Sequence, residues 1–328
     1  IKLNTNESPY PPAPAVLAGL TEQDLADLRL YSDPEGTALR AKLAELYGVE
    51  AGQVFLSNGS DDILNFAFMA FGADGAVFPA LTYSFYPVFA NLHGVAYETV
   101  PLREDFTLDV AGMQGKGKLT VFPNPNAPTG IALPLDQVEA IVAANPDHVV
   151  VVDEAYVDFG ADSAVPLLQR YENLLVVMTY SKSRSMAGAR LGFALGSRAL
   201  IQDLEKLKYS TNPYNVNRLT LKLGQAAVDS DGYFREKARE IMATREKTAQ
   251  ALRAMGFTLP DSQANFLFVT HPKVAGETLY RKCKEKGVLI RHFSDPAIAA
   301  YNRVTIGTPA EMEAFLAVVQ TILKEEGA

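Results

Sequence analysis

Residues 173–196 read NLLVVMTYSKSRSMAGARLGFALG. Both ends of this stretch are apolar enough to be strands buried on two faces, as in a parallel sheet. Between them a polar segment holds Lys182 among Thr179, Ser181, Ser183 and Ser185, with Arg184 and Arg190 close behind. Lysine is strongly hydrated and normally sits on solvated faces. Two readings are open: an ordinary loop lysine beside a strand end, or a reactive amine next to an anion site.

The same alternation extends in both directions. QVFLS (53–57), GAVFPA (75–80), VAYETVPL (95–102), KLTVFPN (118–124) and HVVVVDEAY (148–156) read as strands. SDDILNFAFMAFG (60–72), YSFYPVFANLHG (83–94) and a segment from about Pro134 to Ala144 read as helices. This rhythm predicts an α/β fold with a mostly parallel, mixed sheet sandwiched by helices. A long amphipathic helix begins near Gly232 and stops at Gly256, a residue type that commonly ends helices. Beyond it ANFLFVT (264–270), GVLIRHF (287–293) and RVTIG (303–307) read as strands of a smaller α+β domain. The Pro-rich ESPYPPAPAV (7–16) fits neither a regular helix nor a central strand and is expected to be an extended arm. The expected division is an arm over residues 1–30 that contributes to the small domain and a dimer, a large domain over 31–231, and a small domain over 232–328.

With 328 residues, 48% hydrophobic and 21% charged, the chain has the composition of a soluble globular protein of about two domains. No apolar run approaches the roughly 20 residues that span a bilayer. A net charge of −8 argues against a nucleic-acid footprint, so an anionic ligand needs locally concentrated positive charge. The single cysteine, Cys283, excludes an intrachain disulfide and suits a reducing cytosol, so a cytoplasmic location is expected.

In open parallel sheets, ligands bind outside the carboxyl ends of the strands. Four predicted strands end in polar segments: LSNGSDD (56–62), FPNPNAPTG (122–130), VVVVDEAY (149–156) and VVMTYSKS (176–183). Gly59 permits a tight turn, and the N–H groups at Ser60 and Asp61 suit an anion at a helix start, although a plain N-cap explains the same pattern. Thr179, Ser181 and Arg190 complete a phosphate site, arginine's planar fork being suited to phosphate. Asp153, otherwise a turn residue, would hold a ring nitrogen protonated. Tyr156 could reach a phenolic oxygen of the same ring, and Tyr83 could stack on its face or belong to the core. An amine, an anion site, a carboxylate and an aromatic lid are together the requirements of pyridoxal 5′-phosphate.

Rival motifs fail. VVVVDEA resembles a Walker B strand, but Gly115-Lys116 and Gly117-Lys118 are not followed by Ser or Thr, and no G-x-G-x-x-G opens a helix. The four histidines are scattered without metal-ligand spacing, so no metal is expected.

NPNAPTG, DEAY, SKSRSMAGARLGF and YNRVTIGT occur in the order found in fold-type I, class II pyridoxal-phosphate aminotransferases, which the chain resembles over nearly its whole length. LNTNESPYPP, LYSDPEGTALR, SNGSDD and SQANFLF make it most similar to the histidinol-phosphate aminotransferases. The resemblance implies that Lys182 forms the Schiff base and shuttles the proton, that Asp153 pairs with the pyridinium and that Tyr156 contacts the ring oxygen. It puts Tyr83 on the ring and Ser60, Asp61, Thr179, Ser181 and Arg190 around the phosphate, with Gly59 shaping the loop. Tyr31 would reach the phosphate of a neighbouring subunit, which implies a homodimer. Arg303 and Arg291 would hold the anionic groups of small-molecule substrates, a phosphorylated amino alcohol and a 2-oxo acid, while Asn6 and Tyr10 would close over them. One departure stands out: the family's usual Asn before Pro-Thr-Gly is Ala127 here. Either Asn126 replaces it or Tyr156 serves the ring oxygen alone. An aromatic amino-acid aminotransferase, a threonine-phosphate decarboxylase and a non-catalytic binding module remain the alternatives.

Overall fold

Seven strands form the main sheet: β1 (Val54–Ser57), β2 (Ala76–Pro79), β3 (Tyr97–Val100), β4 (Leu119–Pro123), β5 (Val150–Asp153), β6 (Leu174–Thr179) and β7 (Gly192–Gly196). The computed structural model describes all 328 residues and orders these strands β1-β7-β6-β5-β4-β2-β3. Every neighbouring pair is parallel except those of β7, which runs antiparallel to both β1 and β6. The link from β6 to β7 has no α-helix to carry a parallel crossover, so the chain returns alongside itself. Two reversals cancel, and β1 points the same way as β4, β5 and β6. The four polar strand ends noted in the sequence therefore share one edge.

β5 and β6 are buried along their whole length, which is why they are valine and leucine runs rather than alternating patterns. Val150 and Val152 face one core, with Leu39 and Leu195, while Val151 faces the other, with Phe55 and Ile63. That is the period of two expected of a strand. The helices are α1 (Pro14–Leu17), α2 (Glu22–Ala26), α3 (Thr37–Tyr47), α4 (Ser60–Phe71), α5 (Tyr86–Leu92), α6 (Leu135–Ala143), α7 (Arg198–Thr211), α8 (Arg218–Asp229), α9 (Asp231–Ala254), α10 (Gly276–Glu285) and α11 (Pro309–Glu326). The Pro-rich arm is non-helical only as far as Ala13. Pro14 then occupies the first helical position, where its missing N–H costs nothing.

A second sheet has the order β8-β10-β9, all antiparallel, from β8 (Phe266–Val269), β9 (Arg291–His292) and β10 (Asn302–Thr305). β9 is shorter than the predicted strand because the start of the chain takes over there: Leu3 donates to the Leu289 carbonyl at 2.8 Å and Leu289 to that of Ile1 at 2.9 Å. α9 buries Phe234, Ala238, Ile241, Ala249 and Leu252, spaced at the helical period. Its buried Arg245 donates to the carbonyls of Phe159 and Ala264 at 2.8 and 3.0 Å, tying the loop after β5 to the approach to β8. Cys283 is fully buried and burial pushes its thiol up to about 12, so it is an inert core residue. No helix is long and apolar enough to cross a membrane, and no three His, Cys, Asp or Glu side chains cluster as a metal site.

Candidate active site

A cavity of about 180 Å³ opens where β1, β4, β5 and β6 end. Ser60, Asp61, Tyr83, Asp153, Tyr156, Thr179, Ser181, Lys182 and Arg190 line it, as the sequence reading expected. A larger cavity of about 440 Å³, beside α9, contains none of them, and its buried Arg184 is already paired with Asp231 at 2.8 Å.

The anion-binding end of the smaller cavity is built on backbone. The first N–H groups of α4 have no partner within the helix and open onto the cavity at Ser60 and Asp61. Gly59 has φ 93°, and a Cβ there would lie 2.7 Å from Arg190 Nη2. A Cβ on Gly192 would lie 2.5 Å from the Ser60 nitrogen. Only glycine lets these segments close around the helix start. Thr179 Oγ1 donates to Ser181 Oγ at 3.0 Å and accepts the Ser181 N–H at 3.1 Å, which fixes both hydroxyls at the strand tip. The Asp61 carboxylate accepts the Tyr83 hydroxyl at 2.8 Å and lies 3.6 Å from Arg190, so its backbone rather than its side chain serves an anion.

At the other end Asp153 is almost wholly buried. It accepts the Tyr86 hydroxyl at 2.9 Å and the Ala155 N–H at 3.2 Å, and no cationic side chain is ion-paired with it. Burial pushes its carboxyl up to about 6 against the pull of these donors. A carboxylate built into the core without its cation is suited to a protonated ring nitrogen. Lys182 is half-buried and forms no ion pair; its Nζ lies 3.5 Å from the Thr5 carbonyl and 5.7 Å from the centroid of the Tyr156 ring. Tyr83 flanks the space, its hydroxyl driven well above the usual phenol range by burial and by Asp61.

Other expected residues fall differently. Asn126 does not line the cavity: its Nδ2 donates to Thr129 Oγ1 at 3.0 Å and the Leu81 carbonyl at 3.2 Å. Ala127 lines it instead, so the reading in which Asn126 takes the place of the missing asparagine is set aside. Asn6 is 1% exposed and locked by hydrogen bonds, not free to close over a substrate. Tyr10 lies away from the cavity, packed under the Lys237 ammonium of α9 at 5.0 Å. Tyr31 is 78% exposed and stacks on Tyr214. Arg303 and Arg291 stand opposite each other in the β9–β10 register, and neither has a carboxylate partner. The Arg303 guanidinium lies 5.4 Å over Phe266, whose ring packs edge-on to Tyr156 at 5.1 Å. Burial and the neighbouring Arg291 pull Arg303 downward from its ordinary pKa.

Sequence reasoning missed Thr5 and Glu7, which reach the cavity from the arm, and Tyr86, the partner of Asp153. Their only sequence signals were a polar pair in the arm and one aromatic among several in α5.

A buried carboxylate, an unpaired lysine and a helix-start anion site at one sheet edge define a pyridoxal-phosphate enzyme. Residues 1–319 match the family model for aminotransferases of class I and II, and the chain belongs to this family. Members use pyridoxal 5′-phosphate, which the cavity residues fit. A histidinol-phosphate aminotransferase of Brachyspira hyodysenteriae is 47% identical over 327 residues, 99% of this chain and 92% of that protein. Histidinol-phosphate aminotransferase 1 of Bordetella parapertussis is 49% identical over 327 residues, covering 98% and 92%. Among solved structures, the histidinol-phosphate aminotransferase of Clostridium acetobutylicum aligns with a TM-score of 0.92 at 20% identity, covering 99% of each chain. That of Sinorhizobium meliloti, in complex with pyridoxal-5′-phosphate, aligns at 0.90 and 24%, covering 99% and 90%.

Proposed function

We propose that this aminotransferase interconverts L-histidinol phosphate and 2-oxoglutarate with imidazole-acetol phosphate and L-glutamate, a step of histidine biosynthesis. The observation that carries the substrate assignment is the pair Arg303 and Arg291. Neither lines the Lys182 cavity itself, but Arg303 lies over Phe266, which packs on Tyr156 of its wall, Arg291 is the neighbour of Arg303 across β9–β10, and no carboxylate is ion-paired with either. Arginine's fork accepts phosphate and carboxylate alike, which one pocket must do for these two partners.

When bound, pyridoxal phosphate supplies an electron sink for the pair left at the substrate α-carbon. Thr179, Ser181, Arg190 and the α4 N-terminus would hold its phosphate. Asp153 would keep the ring nitrogen protonated, Tyr156 would donate to the ring oxygen, and Tyr83 would cover the ring. Lys182 would hold the cofactor through Nζ and, as a free amine, Nζ would take up the proton from the substrate α-carbon. Arg303 would orient the substrate so that this proton faces Lys182.

In this reading the enzyme is a cytoplasmic homodimer divided near residues 30 and 231, with Tyr31 entering the partner's site. The exposed apolar residues Leu25, Leu28, Leu30 and Tyr31 support such a contact surface. The test is spectroscopic. The protein loaded with pyridoxal phosphate is mixed with L-histidinol phosphate and no oxo acid. Loss of the visible band, and its return on adding 2-oxoglutarate, is expected. A band that ignores histidinol phosphate but responds to tyrosine or phenylalanine would reassign the substrate.

A further inference from the structure

The arm residue Asn6 is hydrogen-bonded to Tyr156, the residue that would serve the cofactor's ring oxygen. Its backbone N–H donates to Thr305 Oγ1 at 2.9 Å, and its own carbonyl accepts Asn265 Nδ2 at 3.0 Å. Because Thr305 Oγ1 already takes that N–H, its proton goes to Asn6 Oδ1, at 3.0 Å. This fixes the amide orientation and turns Nδ2 toward Tyr156, whose hydroxyl oxygen accepts from it at 2.9 Å. Asn6 holds this pose with φ 55°, a left-handed conformation that asparagine tolerates better than most residues.

Ala127 stands where the sequence resemblance implies an asparagine, and its methyl packs with Ala264, Phe266 and Tyr156 and can donate nothing. The neighbouring Asn126 amide is spent on Thr129 and Leu81. One donor, Tyr156, is left for the ring oxygen.

We infer that Asn6 is a positioning residue that compensates for Ala127: its amide occupies a lone pair of the Tyr156 hydroxyl, so the tyrosine proton is committed to the cofactor's ring oxygen. Donation into an oxygen also strengthens that hydroxyl as a donor in turn. The asparagine's contribution is delivered from the arm, through the tyrosine, instead of directly from the loop after β4. The inference rests on the pyridoxal-phosphate reading above.

The experiment follows the visible absorbance of the cofactor-loaded protein against pH. A donor at the ring oxygen stabilises its negative charge most when the adjoining lysine-derived nitrogen has lost its proton, so it lowers the pH of that transition. Asn6→Gly is neutral and accepts the backbone angle; Asn6→Asp keeps the shape and the Thr305 contact but replaces the donor with an acceptor. Both should raise the midpoint, Asn6→Gly by ~0.3 pH unit, a fraction of what the whole Tyr156 hydrogen bond is worth, because the tyrosine's bond is weakened and not removed. In a Tyr156→Phe background Asn6→Gly should move it no further. A midpoint unmoved by Asn6→Gly, or moved equally with and without the Tyr156 hydroxyl, overturns the inference while the visible band upholds the enzyme class. Absence of any visible band in the unmutated protein would remove that class and the inference together.

Discussion

Replacing Glu154 with glutamine should free the stability of the cofactor-free protein from most of its pH dependence above pH 6. Glu154 is 2% exposed, with Ala164 N–H and Ser163 Oγ donating to its two oxygens, each at 2.6 Å. Burial outweighs these donors, Asp158 and Asp153 add repulsion, and the carboxyl is pushed from its ordinary 4.5 up to about 8. Folding then takes up a proton between those limits, so this contribution to stability is complete below pH 4.5 and is lost as pH rises through about 8. Each pH unit in that interval is worth about 1.36 kcal/mol, which puts the whole loss on the order of 5 kcal/mol. Asp153 adds a decline that ends near pH 6, so from there upward the slope belongs to Glu154. Glutamine reproduces the neutral acid: its oxygen can accept from Ala164 and its amide can donate to Ser163. Urea unfolding followed by circular dichroism at pH 5, 6, 7, 8 and 9 is the assay. The wild type should weaken by roughly 3 kcal/mol between pH 6 and 8 while Glu154→Gln stays flat, so that the variant is the more stable protein at pH 9. Parallel curves for the two proteins would refute the reasoning, because they would mean that Glu154 is already ionised in the fold.

Lys182→Ala should abolish the visible band of the bound cofactor and lower kcat by roughly a thousandfold or more, measured as glutamate formed from histidinol phosphate and 2-oxoglutarate; an unchanged rate would remove the catalytic assignment. Arg303→Lys keeps the charge but loses the fork, and should raise KM for both substrates about tenfold or more with the spectrum of the loaded protein intact. Gly59→Ala forces a Cβ toward Arg190 at a positive φ. It should cost about 1–3 kcal/mol and weaken cofactor binding in an equilibrium titration, whereas alanine at Gly94, with open space around it, should leave that affinity alone.

The site was legible where chemistry follows directly on a strand. Asp153, Thr179, Ser181 and Lys182 lie within a few residues of valine-rich runs, so knowing the strand direction placed their side chains at one edge. The reversal of β7 was not legible, since an apolar run carries no sign of its direction. Nor was the arm. Asn6 and Tyr156 are 150 positions apart, and only the pairing of the first residues with Leu289 and Thr305 brings them together. Local pattern also could not say which of Asn126 and Ala127 faces the cavity; that depends on how the loop after β4 turns, with Gly130 at φ 80° against Ser262. Tyr86 reads as one more apolar residue of α5 until the structure shows where its hydroxyl points.

Adjacent carboxyls at 153 and 154 pose a question that the surrounding groups answer. Both are buried, and two negative charges on neighbouring residues in one core would repel strongly. The fold separates their titrations instead: Glu154, pushed up to about 8, stays neutral near pH 7, while Asp153, at about 6, is largely ionised there. Asp153 faces the cavity with Tyr86 supporting its charge; Glu154 faces the Ser163–Ala164 turn and acts as a structural hydrogen-bonding group. Pairs of acids with environments that drive their pKa values apart mark which member does the electrostatic work. Here that member is the one aimed at the same space as Lys182. A cationic ring nitrogen in that space would pull Asp153 further down and leave Glu154 protonated, so that one negative charge meets the cofactor and the core behind it stays neutral.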